Sequence, residues 1–305
     1  MSNVQPRRFK TIAEFHEFRE LPKPQHPLVS VIDVSMMNHL MTDDYYIVKD
    51  FYSVALKKNL NYKVKYGQHT YDFDEGVMYF MAPGQPIRLN IEKDTPLTQS
   101  GWMLLIHPDF LWGTPLAKTI RQYEYFGYSV REALFLSEKE EGMINTLVQN
   151  MEHEYQANID LFSQKVIIAQ LELLLTYADR FYQRQFITRK IANHEILARL
   201  ENVLDSYFSS ELVAKNGLPT VAYLAEELNI SPNYLGSLLK MLTGQNAQQH
   251  LHNKLIEVAK EKLAGTDLSV SEIAFALGFE HPQSFSKLFK NKTELSPLEF
   301  RGMVG

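Results

Sequence analysis

The sequence predicts a multi-domain chain: a mainly-β barrel or sandwich at the N-terminus, then helices, then an all-α domain holding two helix-turn-helix units. Three observations predict it. The chain has 305 residues, more than one core usually serves. Its residue pattern changes from strand-like to helical near Ser137, and its C-terminal third repeats itself.

Composition is that of an ordinary globular protein, with 45% hydrophobic and 22% charged residues, which argues against disorder and against a membrane protein. The N-terminus, MSNVQPRRFKTIAEFHEF, lacks the apolar core of a signal peptide, so export is not expected. The most apolar later stretch, KVIIAQLELLLTYA, carries Lys165, Gln170 and Glu172 and falls short of the roughly 20 residues of a membrane span. It reads as a buried helix. There is no cysteine, which excludes disulfides, thiolate metal sites and a cysteine nucleophile, and fits a reducing, cytoplasmic location. The formal charge of −5 counts against nucleic-acid binding by the chain as a whole, so any such binding must use a local basic surface.

From Val29 to about Trp112, runs such as YKVKYG and VMYFMAPGQPIRL are rich in β-branched and aromatic residues, with turn formers at Asp74-Glu75-Gly76 and Pro83-Gly84. Short strands at that spacing suggest an antiparallel sandwich or small barrel. Tyr66, Tyr71, Phe73, Tyr79, Phe80 and Trp102 are candidate wall residues for a small organic ligand, although core packing explains them equally well. No ligand-site residue is assigned from them. None of His16, His26, His39, His69 or His107 has a His-X-His partner, so a surface or satisfied structural role is expected for each, with no metal and no cofactor.

Ser137 and Glu140 have the spacing of a capping box, in which each side chain satisfies the other's free backbone N–H. Ile144, Leu147, Val148, Met151 and Tyr155 then recur at three- and four-residue steps, giving one apolar helical face. A second helix is expected from about Leu161 to Arg184. The polar stretch Gln185 to Asn193 reads as the linker, with Asn193 capping a new helix. The expected divisions are therefore 1–136, 137–190 and 191–305, the middle one a helical dimerisation segment, because its apolar faces exceed what the flank of a barrel need cover.

The repeat emerges when TVAYLAEELNISPNYLGSLLK is laid on SVSEIAFALGFEHPQSFSKLFK. Leu224, Ala225 and Leu228 fall on Ile273, Ala274 and Leu277 at an offset of 49; Leu235, Leu238, Leu239 and Lys240 fall on Phe285, Leu288, Phe289 and Lys290 at an offset of 50. The extra residue sits in the connector, where two copies of a helix-turn-helix tolerate it. Asn229 and Gly278 suit a left-handed turn, Ser269 and Glu272 form a capping box, and Pro232 and Pro282 suit the first helical position.

On a 3.6-residue wheel, Leu235, Leu238, Leu239 and Leu242 share one side, as do Phe285, Leu288 and Phe289, and these sides are expected to be core. The opposite sides carry Asn233, Gly236, Ser237 and Lys240 in the first copy, and Gln283, Ser286, Lys287 and Lys290 in the second. Amide, hydroxyl and ammonium groups bond base edges and phosphates. Neither Pro232 to Leu242 nor Pro282 to Lys292 contains a carboxylate, which spares phosphates local repulsion.

The motifs SVSEIAFALGF and SFSKLFKNKTELSPLEFR, with TGQNAQQHL and NKLIEVAKEKLAGT before them, resemble the DNA-binding domain of the AraC family over Asn193 to Arg301. The resemblance implies that the second helix of each unit enters successive major-groove segments. The DNA-binding residues it points to are Asn233, Ser237, Lys240, Gln283, Ser286, Lys287 and Lys290. The chain departs from the pattern at Glu294, where glycine is usual, at Lys254, where arginine is common, and at Met241, where a second basic residue is frequent. The strand-rich half is similar in layout to that family's cupin-like sensory barrel. The implied function is a cytoplasmic, sequence-specific transcription regulator, not an enzyme. Its expected partners are double-stranded promoter or operator DNA, a second copy as a homodimer, a small-molecule effector or protein at the N-terminal domain, and RNA polymerase if it activates; no membrane is involved. An enzymatic reading fails on the missing cysteine of a repair methyltransferase and the missing metal motif of a cupin catalyst. Tandem helices that bind protein instead of DNA are the alternative, and a gel shift separates the two.

Overall fold

A computed structural model describes residues 7–37, 45–58, 76–89, 100–128, 132–157, 160–188, 190–210 and 212–304. The chain divides into two compact units, the first ending at Gln185 and the second running from Phe186 to Gly305.

The first unit contains strands β1 (Arg7–Phe9), β2 (Val29–Asp33), β3 (Tyr45–Lys49), β4 (Tyr52–Lys58), β5 (Val77–Met81), β6 (Pro86–Leu89), β7 (Ser100–Ile106) and β8 (Leu134–Phe135). Among the described residues they form two sheets, β1-β3-β6 and β2-β7-β4-β5-β8, instead of a closed barrel. Among the described strands β1 pairs with β3 in parallel and the other pairings are antiparallel. The Pro83-Gly84 turn forms as expected, with Gly84 at φ 82° and its N–H donating to the Lys49 carbonyl. The YKVKYG run and Asp74-Glu75 lie outside the described residues.

Strand alternation decides what each face of the larger sheet buries. Ala55 lies opposite Tyr79 and Met103, and this face joins Phe9, Ile47 and Phe51 in one core between the sheets, together with Phe15 of helix α1 (Ile12–Phe18). Val54 lies opposite Phe80 and Leu104, and Leu56 opposite Trp102, so these side chains occupy the other face. There Phe80 meets the rings of Tyr125 and Tyr182, and the Trp102 indole N–H donates to Asn145. Phe80 and Trp102 thus lie on the face turned away from the core between the sheets, whereas Tyr79 packs against that core; Tyr66, Tyr71 and Phe73 lie outside the described residues.

His16 is held between the Pro22 carbonyl and the Ser30 hydroxyl, and burial lowers its pKa. His26 and His107 accept from the backbone N–H groups of Leu28 and Asp109; His39 and His69 lie outside the described residues.

After the short helix α2 (Leu116–Thr119), helix α3 (Glu138–Gln156) begins with the expected Ser137–Glu140 capping box. Its predicted apolar face is buried, and the Tyr155 hydroxyl accepts from Val31 N–H in β2. Helix α4 (Ser163–Thr188) buries Ile167, Leu171, Leu174, Ala178 and Phe181 on one side. Arg184 ties it to Glu140 at 2.7 Å, and Gln185 grips both Ala133 and Phe135 beside β8. Its other side leaves Val166 and Leu173 exposed, and with Phe162 just before its first residue they make a second stripe at helical spacing. Among the described residues no helix is long and apolar enough to cross a membrane.

The boundary between units falls inside α4, and helix α5 (Lys190–Ser209) starts almost at once. Asn193 is consequently not a cap. It lies within α5, 2% exposed, and its amide donates to the Phe186 carbonyl at the end of α4. A polar, linker-like composition hid this because buried Gln185 and Asn193 spend their amides on backbone carbonyls.

Candidate nucleic-acid interface

The second unit continues with helices α6 (Leu212–Asn216), α7 (Val221–Leu228), α8 (Pro232–Thr243), α9 (Ala247–Gly265), α10 (Val270–Ala276), α11 (Pro282–Thr293) and α12 (Pro297–Val304). Two helix pairs stand out, α7 with α8 and α10 with α11, at the repeat found in the sequence.

Each pair is set by local chemistry. Thr220 and Ser231 cap α7 and α8 by accepting from the N–H groups of Tyr223 and Tyr234. Such caps contribute about 1 kcal/mol each. Asn229 turns the chain between α7 and α8 at φ 58°, and Gly278 does so between α10 and α11 at φ 82°. The Ser269–Glu272 box caps α10, and Pro232 and Pro282 open α8 and α11.

The repeat extends further than the sequence comparison carried it. The Thr243 hydroxyl donates to the Leu239 carbonyl and accepts from Gln245 N–H; fifty residues on, Thr293 does the same with Phe289 and Leu295. Asn246 and Gln249 then box the start of α9 as Ser296 and Glu299 box the start of α12. The signal was a matching Thr followed at three and six residues by cap and box partners. Gly244 ends α8 at φ 73°, and Glu294, where glycine was expected, takes the same left-handed conformation at φ 65° to end α11.

The inward faces form one core with α5 and α9. Leu235, Leu239, Phe285 and Phe289 are fully buried, and Phe289 meets Phe300 of α12. Leu238 is fully buried too, but Leu242 and Leu288 are only half-buried. The reason lies one turn earlier. Tyr234 packs on Phe186 and extends the covered edge of α8 toward Leu238, whereas the equivalent Ser284 is exposed and leaves the edge of α11 beside Leu288 open.

Of the predicted outward residues, Asn233, Lys240, Gln283, Lys287 and Lys290 are exposed, and Ser237 and Ser286 are half-buried. Gln283, Ser286, Lys287 and Lys290 share one face of α11 by their spacing of three and four. Sequence reasoning passed over exposed Ser284 and also Lys292, whose ammonium donates to Asn253 of α9 at 3.1 Å. Two basic residues of the motif serve the fold. Lys254 pairs with Asp205 at 2.6 Å and Glu257 at 3.1 Å, which raises its pKa, and Arg301 donates to the carbonyls of Leu263 in the last turns of α9 and of Leu268 just beyond it. The carboxylate-free outer face of α11, with Lys287 and Lys290 projecting from it, is chemically suited to a polyanion.

A family described as a helix-turn-helix domain matches residues 224–303. The chain is 33% identical over 102 residues to the uncharacterized HTH-type transcriptional regulator YijO of Escherichia coli (strain K12), covering 33% of this chain and 34% of that protein. It is 42% identical over 80 residues to the uncharacterized transcriptional regulatory protein YesN of Bacillus subtilis (strain 168), covering 26% of this chain and 22% of that protein. The chain thus matches about a third or less of the length of these relatives. A solved structure, the C-terminal domain of the response regulator yesN from Fusobacterium nucleatum, is 29% identical with a TM-score of 0.30, covering 33% of this chain and 93% of that one. The matched family and the HTH-type relatives identify residues 224–303 of this chain as a helix-turn-helix domain of the AraC type.

Proposed function

We propose that this chain is a sequence-specific DNA-binding transcription regulator in which α7–α8 and α10–α11 are two helix-turn-helix units and α8 and α11 enter the major groove. The observation that carries the reading is α11 itself: Phe285 and Phe289 anchor it in the core, while Gln283, Lys287 and Lys290 stand exposed with no carboxylate on the helix. Lysines supply phosphate contacts, and an amide supplies a bidentate contact to adenine. Asn233, Ser237 and Lys240 would act likewise from α8 and Ser286 from α11, with the single cation of α8 contributing less. Relatives named as HTH-type transcriptional regulators support the same reading.

In this reading the first 136 residues are a cupin-like regulatory domain answering to a small molecule or partner, and residues 137–190 mediate homodimerisation. The exposed stripe of Phe162, just before α4, and Val166 and Leu173 on it supports the second point, because a solvent-facing apolar row gains by burial against a copy of itself. RNA polymerase is a further partner if the protein activates. The test is retardation of duplex DNA from the region upstream of its own gene. Sequence-selective, salt-sensitive binding is expected, and its absence from the folded protein would reject the reading.

A further inference from the structure

The two repeated helix pairs differ in how the start of the second helix is held. Tyr234, in the first turn of α8, is 6% exposed, and its ring meets that of Phe186 with 5.2 Å between centres. Phe186, in the last turn of α4, is 3% exposed, and its carbonyl accepts from the buried Asn193 amide of α5, so the backbone behind the ring is fixed too. Fifty residues after Tyr234, in α11, stands exposed Ser284. Ser231 also caps α8 with its hydroxyl, whereas His281 gives α11 no side-chain cap.

The first turn of α8 matters for what it carries. Asn233 directly precedes Tyr234, and Ser237 and Lys240 follow Asn233 at steps of four and three on the same outward face. Leu235, Leu238 and Leu239 are buried on the opposite side, and Tyr234 adds a hold at the edge, where a rigid ring resists rolling of the helix about its axis. A side-chain tip lies roughly 5–6 Å from the axis, so a roll of about 10° moves it by about 1 Å. That displacement breaks a hydrogen bond to a base edge.

We propose that Phe186 is a positioning residue for DNA recognition: through Tyr234 it fixes the roll of α8 and with it the aim of Asn233 and Ser237, while α11 is aimed without such a clasp. Phe186 lies before both the family match at 224–303 and the DNA-binding span expected from the sequence, so the precision of α8 depends on a residue outside either. This inference rests on the reading of α8 as a helix that enters the major groove.

The test compares the full chain with Phe186→Ala, Phe186→Leu and Tyr234→Ser, the last giving α8 the residue that α11 carries, and uses Leu288→Ala as a core-edge control in α11. Backbone amide exchange in the first two turns of α8 should quicken by about three- to tenfold in Phe186→Ala and Tyr234→Ser, the loss expected from one aromatic contact, and stay at the wild-type rate in Leu288→Ala. Phe186→Leu, which keeps an apolar contact, should recover part of the protection. Should Phe186→Ala fail to fold, Phe186→Leu and Tyr234→Ser decide alone. A base-substitution scan of a bound upstream duplex gives the second readout. Asn233→Ala marks the base pairs read by α8 and Gln283→Ala those read by α11; Phe186→Ala and Tyr234→Ser should relax preference at the first set by about threefold or more and spare the second. Unchanged exchange in α8, equal quickening in Leu288→Ala, or preference relaxed equally at both sets overturns the proposal. A chain that binds no duplex rejects the regulator instead, and the exchange rates still decide whether Phe186 holds α8.

Discussion

Replacing Gly278 with alanine tests the turn that aims α11. Gly278 has φ 82°, and a Cβ built there would lie 2.8 Å from the backbone carbon of Gly217 and 3.0 Å from its Cα. Neither neighbour is a side chain that can swing aside, and Gly217 is itself fixed by a hydrogen bond from the Tyr207 hydroxyl to its carbonyl. Left-handed strain costs about 1–2 kcal/mol and the overpacking a further 1–3 kcal/mol, so Gly278→Ala should destabilise the second unit by about 2–5 kcal/mol. Gly244 supplies the control: its φ is 73°, but an added Cβ meets nothing within 4 Å, so Gly244→Ala should cost only the strain, about 1–2 kcal/mol. Glu294 already bears that strain at φ 65°, and Glu294→Gly should recover up to about 1 kcal/mol. Urea denaturation followed by helical circular dichroism reads these differences. Both tryptophans, Trp102 and Trp112, lie in the first unit, so their fluorescence is the internal control and should not move. Equal costs for Gly278→Ala and Gly244→Ala would refute the close approach of the two turns.

Phe289→Ala removes a fully buried ring and should cost about 3–5 kcal/mol, whereas Leu288→Ala, on the open edge of α11, should cost no more than about 2 kcal/mol in the same denaturation experiment. Leu173→Lys on α4 should leave melting unchanged and abolish self-association measured by sedimentation; a dimer that survives this change, and Val166→Lys as well, does not use that stripe.

The second unit was largely legible because its signals are local. Pro232, Pro282, the Ser269–Glu272 box and the left-handed Asn229 and Gly278 act within a few residues of chain, and a repeat states them twice. What depends on another element was not legible. Leu238 and Leu288 are equivalent on the wheel, yet the aromatic neighbour Tyr234 and the exposed Ser284 give them different cover. Asn193 looked like a cap because its partner, the Phe186 carbonyl, belongs to another helix. Which of Tyr79, Phe80 and Trp102 faces the core between the sheets was left open by the sequence, because strand phase is set by pairing, which no single strand encodes.

The central claim is that α11 enters DNA, and fluorescence anisotropy of a labelled upstream duplex across a salt series tests it most directly. Lys287→Ala and Lys290→Ala remove exposed charges and should leave helical content unchanged while weakening binding; each lost phosphate contact lowers the slope of log K against log salt by about 0.9. Gln283→Ala should keep the slope and relax preference at one base pair by about 1–3 kcal/mol. Folded variants that bind with wild-type affinity, slope and sequence preference would contradict the account and place α11 outside the groove.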